Sequence, residues 1–463
     1  MVQLSSAPNS PLNLQSIHDQ MSRSVPRYTS YPTAPHFVTD ITSSDVQCWR
    51  QDLAANEPVS LYIHVPFCRE ICSYCGCHTK ASLRDSVIRA YADTLRDEIL
   101  AAAEDLGRHG KRPVGHIAWG GGTPSILAGL GLDTVVKAIE LGFALQDDLE
   151  HSMELDPRSV TREMVDELVC IGVNRVSLGV QDFDLTVQEK IGRIQPFAQV
   201  QNAVALLRQA GISAINLDLM YGLPGQTRDG LVKSLDLAMR LEPSRIALFG
   251  YAHVPWFKSN QKLIDEADLP DTAERLELEA VARARLTEGG FVPVGLDHFA
   301  HTDDPMAVAL RDGTLKRNFQ GYSTDNCQTL IGLGASAISN YPHGYAQNAP
   351  NLAAYCRSVF NGDVPVVRGK TIHNDDRARR DIINALMTSL SVDVAKIAAQ
   401  YGQPICNFTS DLQSLKPFVE AGACTVDGFE VTIDPQASHV TRLIAASFDA
   451  YLVRSEAKHS VAV

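Results

Sequence analysis

Within the ten residues from Cys68 to Cys77 the chain places four of its ten cysteines, and the rest are scattered. The stretch Tyr62-Ile63-His64-Val65-Pro66-Phe67-Cys68-Arg69-Glu70-Ile71-Cys72-Ser73-Tyr74-Cys75-Gly76-Cys77 follows an apolar run of strand length at 59–65. The cysteines therefore sit on a loop at the C-terminal end of that strand, which is where catalytic groups of parallel α/β barrels lie. The C-x3-C-x2-C spacing of Cys68, Cys72 and Cys75 lets a tight loop aim three thiolates at one centre. Soft thiolates select zinc, copper(I) or iron-sulfur clusters. A 4Fe-4S cluster ordinarily takes four cysteines; supplying only three leaves one iron open to an outside ligand, where chemistry occurs. A structural zinc knot closed by all four cysteines is the alternative, although zinc sites more often read as two separated cysteine pairs.

Length and composition bound the rest. The 463 residues, 45% hydrophobic and 21% charged, suffice for a large core and more than one domain. The polar start shows no secretory signal or transit peptide, and no run of about eighteen apolar residues occurs to span a membrane. Clustered cysteines without a secretory context point to a reducing compartment, so a cytoplasmic protein is expected. A net charge of -13 speaks against nucleic-acid binding, which needs a positive footprint. It also means that an anionic substrate must be met by basic residues gathered locally.

Residues 1–22 read as disordered by composition. An arm over 23–58 follows, in which Pro32 and Pro35 interrupt regular structure while Tyr28, Tyr31 and Phe37 favour packing. The expectation is an ordered arm lying over the barrel mouth; docking for stability alone is the alternative. From residue 59, strand-length apolar runs at 59–65, 114–119, 151–155, 173–179, 215–221 and 245–250 alternate with helical patterns at 86–106, 131–145, 160–171, 197–210 and 228–241. This is the pattern of βα units and a parallel sheet, with too few units to close an eight-stranded barrel. Residues 256–365 extend the core with a helix at 272–288, a strand near 291–296 and loops rich in Gly, Asp, Asn and Tyr. The remainder, 366–463, is helical apart from short strands at 423–426 and 429–433, and predicts a winged-helix-like domain that serves as a lid or packing domain.

Polar residues recur at successive strand ends. The turn Trp119-Gly120-Gly121-Gly122-Thr123-Pro124 lets backbone approach a ligand closely. Glu154 ends the third strand and suits ribose hydroxyls, Gln181 ends the fourth, and Asp218 alternates with Leu217 and Leu219 in the fifth. Any one of them reads equally well as a satisfied core polar residue; their recurrence points to a site.

The cysteine triplet, with Tyr74 before its last member, resembles the signature of the radical S-adenosylmethionine (SAM) superfamily. The resemblance implies an α/β fold, a partial (βα)6 TIM-like barrel, with a 4Fe-4S cluster on Cys68, Cys72 and Cys75. It also implies that the open iron binds SAM, whose reductive cleavage yields a 5'-deoxyadenosyl radical. Segments 27–34, 62–77, 120–124, 179–183, 219–224, 295–300 and 317–322 narrow the resemblance to the oxygen-independent coproporphyrinogen III oxidase family, from about residue 23 almost to the C-terminus. That family implies two SAM molecules, the first at Tyr62, Gly121, Glu154 and Ile338. The second falls to Tyr74, Gly122, Thr123, Gln181, Arg193, Asp218 and Ala252. Without the family, Arg193 reads as an exposed arginine at a helix end.

The implied reaction turns the ring A and B propionates of coproporphyrinogen III into vinyl groups, giving protoporphyrinogen IX in heme biosynthesis. It calls for a flavodoxin- or ferredoxin-like electron donor, a separate electron acceptor and a monomeric enzyme. Arg27, Arg317 and Gln320, in aromatic-rich nonhelical segments, are the candidates for holding propionates. Cys77 is expected not to be a cluster ligand, because a neighbour two residues from Cys75 has poor geometry for the same cubane. The rival reading is a non-enzymatic heme chaperone of the same superfamily; such relatives lack the 27–34 arm and the Cys75-Gly76-Cys77 pattern.

Overall fold

The protein, as a computed structural model, is described for residues 23, 25–108 and 110–452; the expected disorder of 1–22 lies outside them. Two compact units emerge. One comprises Val38–Pro270 with Asp325–Thr371, and the other the described parts of Met1–Phe37, Asp271–Thr324 and Ile372–Val463. Neither the boundary expected at 58 nor the one at 366 divides the chain in this way. Residues 271–324 group with the C-terminal helices, where Leu276 and Leu296 pack against the helical core.

In the first unit, six strands pair in parallel and in chain order: Val59–Val65, Arg112–Gly121, Phe143–Leu155, Arg175–Gln181, Ala214–Tyr221 and Arg245–Gly250. Helices Asp85–Leu106, Leu132–Gly142, Arg162–Cys170, Phe197–Gln209 and Arg228–Met239 connect them. Threonine side chains cap two of these helices, Thr161 accepting from Met164 N and Thr227 from Gly230 N, which satisfies amides left open at a helix start.

The strands alternate. Val176, Leu178 and Val180 are buried on one face of the fourth strand, and Ile215, Leu217 and Leu219 on one face of the fifth. Their half-buried neighbours Ser177, Gly179 and Gln181, and Asn216 and Asp218, occupy the other face, as the period of two requires.

Two expectations are corrected. The helix expected at 131–145 ends at Gly142, and the third strand begins at Phe143 rather than at 151. Phe143 is buried and pairs with Arg112, and Leu145 pairs with Val114; the polar Asp147-Asp148 that follows disguises this half of the strand as a loop. The stretch expected as loops contains further strands, of which Thr329–Leu333, Ile338–Tyr341 and Gly344–Asn348 extend the barrel sheet, and the start of the part expected to be helical adds another, Val366–Thr371. The first of these pairs in parallel with Val59–Val65 and the others continue antiparallel. The strand that delivers the cysteine loop is thus paired on both sides.

In the second unit, Ser391–Asp393, Glu430–Ile433 and Cys424–Asp427 form a three-stranded antiparallel sheet. It packs with Ile382, Leu386, Phe408, Phe418 and Ile444 in one core. Tyr28 and Tyr31 of the arm belong to that same core. Tyr28 Oη donates to Asp449 Oδ2 at 3.0 Å, and Ala450 N donates to Tyr31 Oη at 3.0 Å. Buried tyrosines keep a partner for the hydroxyl in this way, and they anchor the described arm to the helical unit. Among the described residues no helix is long and apolar enough to cross a membrane.

Inside the first unit, Glu150 lies 3.2 Å from His116 Nε2 and 3.1 Å from Arg175 Nε. Burial alone would raise its carboxyl, but the His116 hydrogen bond and the charges of Arg175, His116 and Arg245 hold it at about 2. A carboxyl depressed below its unfolded value, near 4.3 for glutamate, stabilises the fold above that value and ceases to do so as pH falls through the folded one. Glu150→Gln should therefore be less stable than the parent at neutral pH, by roughly 1–3 kcal/mol. Denaturant unfolding should show the difference shrinking steadily below about pH 4; a difference independent of pH would refute this account.

Candidate active site

The short strand Phe67–Cys68 pairs in parallel with Lys80–Ala81, so the cysteine loop leaves and rejoins the same place. Its root is fixed by the glycine turn of the second strand, where Gly122 N donates to Val65 O at 2.9 Å and Thr123 N to Phe67 O at 2.8 Å. Thr123 Oγ1 donates to Cys68 Sγ at 3.5 Å, and Thr79 Oγ1 lies 3.3 Å from the same sulfur. Cys72 is buried, Cys68 and Cys75 are half-buried and Cys77 is exposed. Burial pushes the Cys68 thiol up. The Cys75 thiol is drawn down to about 6, first by its hydrogen bond with Cys77, with Lys258 and Arg193 adding positive charge. Cys77, the donor in that pair, is pushed up.

Arg193 is buried rather than exposed at a helix end. Its Nη1 lies 3.6 Å from Cys72 Sγ, Nη2 donates to Gly179 O at 2.7 Å, and Asp156 Oδ1 and Oδ2 pair with it at 3.1 and 3.3 Å. Arg158 binds the same carboxylate at 2.7 Å. Two guanidinium groups thus share one aspartate beside the cysteine loop.

The residues expected around a first SAM come together. A side chain at Gly120 would place its Cβ 3.0 Å from both Glu154 Oε1 and Tyr62 Oη. Gly121 N donates to Glu154 Oε2 at 3.2 Å. Ile338 is one strand removed: a Cβ built on Gly332, the register partner of Tyr62, would meet the Ile338 backbone. Glu154 keeps solvent exposure yet is ringed by protein; that desolvation raises its carboxyl to about 7, with the Asp218 charge adding.

His64 orients Tyr62. Burial lowers its pKa to about 4, so the ring is neutral and carries one donor and one acceptor nitrogen. Nε2 faces His78 O at 3.0 Å and Nδ1 faces Tyr62 Oη at 3.1 Å. A carbonyl only accepts, so Nε2 bears the hydrogen and Nδ1 receives the tyrosine O–H.

The second set gathers around Gly179, whose Cβ, if present, would lie 3.0 Å from Gln181 Nε2 and 3.3 Å from Arg193 Nη2. Gly179 is the register partner of Asp218. Asp218 accepts from Ser177 Oγ and Asn216 Nδ2, each at 2.7 Å. Gln181 holds a left-handed φ of 69°, the kind of backbone strain that concentrates at functional sites. Tyr74 and Ala252 are joined by Gln261, whose Nε2 donates to Tyr74 O at 2.7 Å and Ala252 O at 3.2 Å. Gly122 and Thr123 instead stand at the root of the cysteine loop, with their amides committed to it.

The candidates for the propionates lie in the second unit. Arg317 Nη2 donates to Arg27 O at 3.1 Å, and its guanidinium stacks 4.5 Å from the Tyr322 ring centre. Among the described residues, Arg317 Nε and Nη1 and Gln320 Nε2 are buried without a hydrogen-bond partner. Asp297 stands near them. Burial opposes its ionisation, but its bond to His298 and the charges of Arg317 and Arg27 hold it at about 2.

Sequence reasoning missed Asp156, His64, Lys258, Asn260 and Gln261. The Asp156-Pro157 pair signals a helix start, and Asp156 Oδ1 does accept from Arg158 N at 3.0 Å. Nothing local distinguishes Asn260 and Gln261 from ordinary loop amides.

The residues present suit a thiolate-bound cluster, with soft donors, hydroxyls beside one sulfur and a guanidinium beside another. Among the described residues, no three His, Cys, Asp or Glu side chains gather as a single metal ion would need. A cubane asks for less, because each cysteine binds a different iron.

Residues 62–238 match the radical SAM superfamily. The chain is 44% identical over 439 residues to the oxygen-independent coproporphyrinogen III oxidase of Bradyrhizobium diazoefficiens, covering 95% of this chain and 97% of that one. The Escherichia coli oxidase of the same name is 37% identical, over 92% and 93% of the two chains. The solved structure of the Escherichia coli coproporphyrinogen III oxidase, described as a radical SAM enzyme, superposes with a TM-score of 0.87 at 35% identity, covering 93% of this chain and all of that one. With 44% identity across 95% of its length to one such oxidase and a TM-score of 0.87 to the solved structure of another, the chain belongs to the oxygen-independent coproporphyrinogen III oxidase family of radical SAM enzymes.

Proposed function

We propose that this protein oxidatively decarboxylates the ring A and B propionates of coproporphyrinogen III without oxygen, releasing two CO2 and giving protoporphyrinogen IX. The observation that carries this reading is the Cys68-Cys72-Cys75 loop set beside two clusters of strand-end polar groups, one around Gly120 and one around Gly179. Identity of 44% to a named oxidase across 95% of the chain supports the substrate.

Bound to the three cysteines, a 4Fe-4S cluster with SAM would supply a 5'-deoxyadenosyl radical able to take a hydrogen atom from the propionate β-carbon. The protein's part is placement and exclusion of water. Cys68, Cys72 and Cys75 hold the cluster, and Arg193 sets positive charge against its negative one. Tyr62, Gly121, Glu154 and Ile338 hold one SAM. Tyr74, Gly122, Thr123, Gln181, Arg193, Asp218 and Ala252 hold a second. Arg27, Arg317 and Gln320 bind propionates, which offer acceptors to the buried unpaired donors of Arg317 and Gln320. Hydrogen abstraction requires no general acid or base, so misplacement is what such a site cannot tolerate, a shift of about 1 Å costing on the order of a hundredfold in rate. The enzyme works as a cytoplasmic monomer, fed by a flavodoxin- or ferredoxin-like donor, and a separate electron acceptor takes the electron that each substrate radical gives up as its CO2 leaves and the vinyl double bond forms.

Anaerobic incubation of the reconstituted protein with SAM, a low-potential reductant and coproporphyrinogen III should yield protoporphyrinogen IX and 5'-deoxyadenosine. Both products should vanish in Cys68→Ser, Cys72→Ser and Cys75→Ser variants. SAM cleavage without decarboxylation would sink the substrate assignment and favour the heme chaperone. Cys77→Ser should keep the iron and acid-labile sulfide content of the parent; loss of the cluster there would make Cys77 a ligand. Arg317→Gln should raise KM for the porphyrinogen by roughly tenfold to a hundredfold, the effect of removing a charge-assisted hydrogen bond, with cluster content unchanged. Unaltered substrate affinity in that variant would remove Arg317 from the site.

A further inference from the structure

The segment after the sixth barrel strand enters a short turn, Ser259–Leu263, and two adjacent carboxamides there face the cysteine loop. Asn260 Nδ2 donates to Cys72 O at 3.1 Å, Ser73 O at 3.2 Å and Cys75 O at 2.9 Å. Gln261 Nε2 donates to Tyr74 O at 2.7 Å. All four successive carbonyls from Cys72 to Cys75 are therefore taken by one pair of neighbouring side chains. Lys258 Nζ takes a fifth, Cys77 O, at 2.9 Å.

The pair is itself fixed. Gln261 is almost wholly buried, and its Oε1 accepts from Val254 N at 2.6 Å, so both ends of its amide are engaged. On the loop, Ser73 N donates to Ile191 O at 2.9 Å and Cys75 N to Cys72 O at 3.2 Å. An amide NH2 has two hydrogens, so Asn260 serves three acceptors by sharing one of them. Buried carbonyls left without donors are costly, and carbonyl dipoles turned toward thiolates would oppose their negative charge. Drawing four of them to the 260–261 side removes both penalties.

We propose that Asn260 and Gln261 form a template that holds the cysteine loop in its ligating conformation before the cluster arrives, with Asn260 as a positioning residue for the chemistry. Gln261 also binds Ala252 O at 3.2 Å, so the same template ties the loop to a residue proposed for the second SAM. The inference rests on the reading of Cys68, Cys72 and Cys75 as cluster ligands.

The test compares the parent with Asn260→Asp, which exchanges the donors for a carboxylate facing carbonyls, and with Asn260→Ser, which keeps one donor. In the cluster-free proteins, hydrogen exchange at the Ser73 and Cys75 amides should quicken by about tenfold or more in Asn260→Asp, with exchange in the barrel strands unchanged. After anaerobic treatment with iron and sulfide, Asn260→Asp should lose most of the iron and cluster absorption that the parent retains. Asn260→Ser should recover part of both, and the response of its reduced-cluster EPR spectrum to SAM should differ from the parent's. Parental exchange and parental iron content in Asn260→Asp would overturn the template. If that variant does not accumulate, Asn260→Ala is read by the same criteria. The exchange measurement uses no cluster, so a parent that binds no iron would refute the cluster reading while the template is still decided by exchange.

Discussion

A parallel strand sends successive side chains to opposite faces, and in this barrel that alternation decides which groups meet. Val176, Leu178 and Val180 are buried while Ser177, Gly179 and Gln181 face the other way; one strand further, Ile215, Leu217 and Leu219 are buried while Asn216 and Asp218 face the other way. The register pairs Gly179 with Asp218 and Glu154 with Ser177, so polar groups from neighbouring strands stand side by side. Polar groups in such a place are costly unless bonded, and Ser177, Asn216 and Asp218 bond one another. Glu154 shows what remains unbalanced. Crowded by protein and by the Asp218 charge, its carboxyl rises to about 7, and a ligand offering hydroxyl donors to it would relieve that strain.

The cysteine loop obeys a different rule. Between Phe67–Cys68 and Lys80–Ala81 it has no regular secondary structure of its own, so its conformation is imposed from outside. Gly122 and Thr123 hold its root, Ile191 O holds the Ser73 amide, and the 258–261 segment holds its carbonyls. These supports come from the second strand, from the region after the fourth and from the region after the sixth. The whole half-barrel has to be folded before the three thiols are placed.

This difference explains what the sequence could and could not disclose. The six strands were legible because their apolar runs have strand length and lie between helical periods; Val59–Val65 and Arg245–Gly250 match their expected bounds. The first half of Phe143–Leu155 was hidden because Asp147 and Asp148 break the apolar run. The strands from Thr329 to Thr371 were hidden because they are short and rich in residues that also make turns. The spacing of Cys68, Cys72 and Cys75 singles out their loop without help from the rest of the chain. Arg193 was not legible, since its burial depends on Asp156, 37 positions away, and neither were Asn260 and Gln261, whose partners lie more than 180 positions away. Spacing discloses a site built within one loop, whereas contacts made across the fold leave no local periodicity.

Charge shows the same economy at two places. A chain of net charge -13 has to concentrate cations wherever it meets an anion. Beside the cysteines, Arg158 and Arg193 share Asp156. In the second unit, the charges of Arg27 and Arg317 both act on Asp297, which also binds His298. In each case one carboxylate lies close to two guanidinium groups. A lone arginine in such surroundings would be desolvated and loosely placed; a fully paired one would offer no charge to a ligand. An aspartate shared by two arginines fixes both, and beside the cysteines Glu70, 3.6 Å from Arg158 Nη1, balances the second charge. Beside the sulfurs, Arg193 is left facing Cys72 Sγ at 3.6 Å, and in the second unit Arg317 Nε and Nη1 are buried without a hydrogen-bond partner among the described residues, a cost that only a further acceptor would remove.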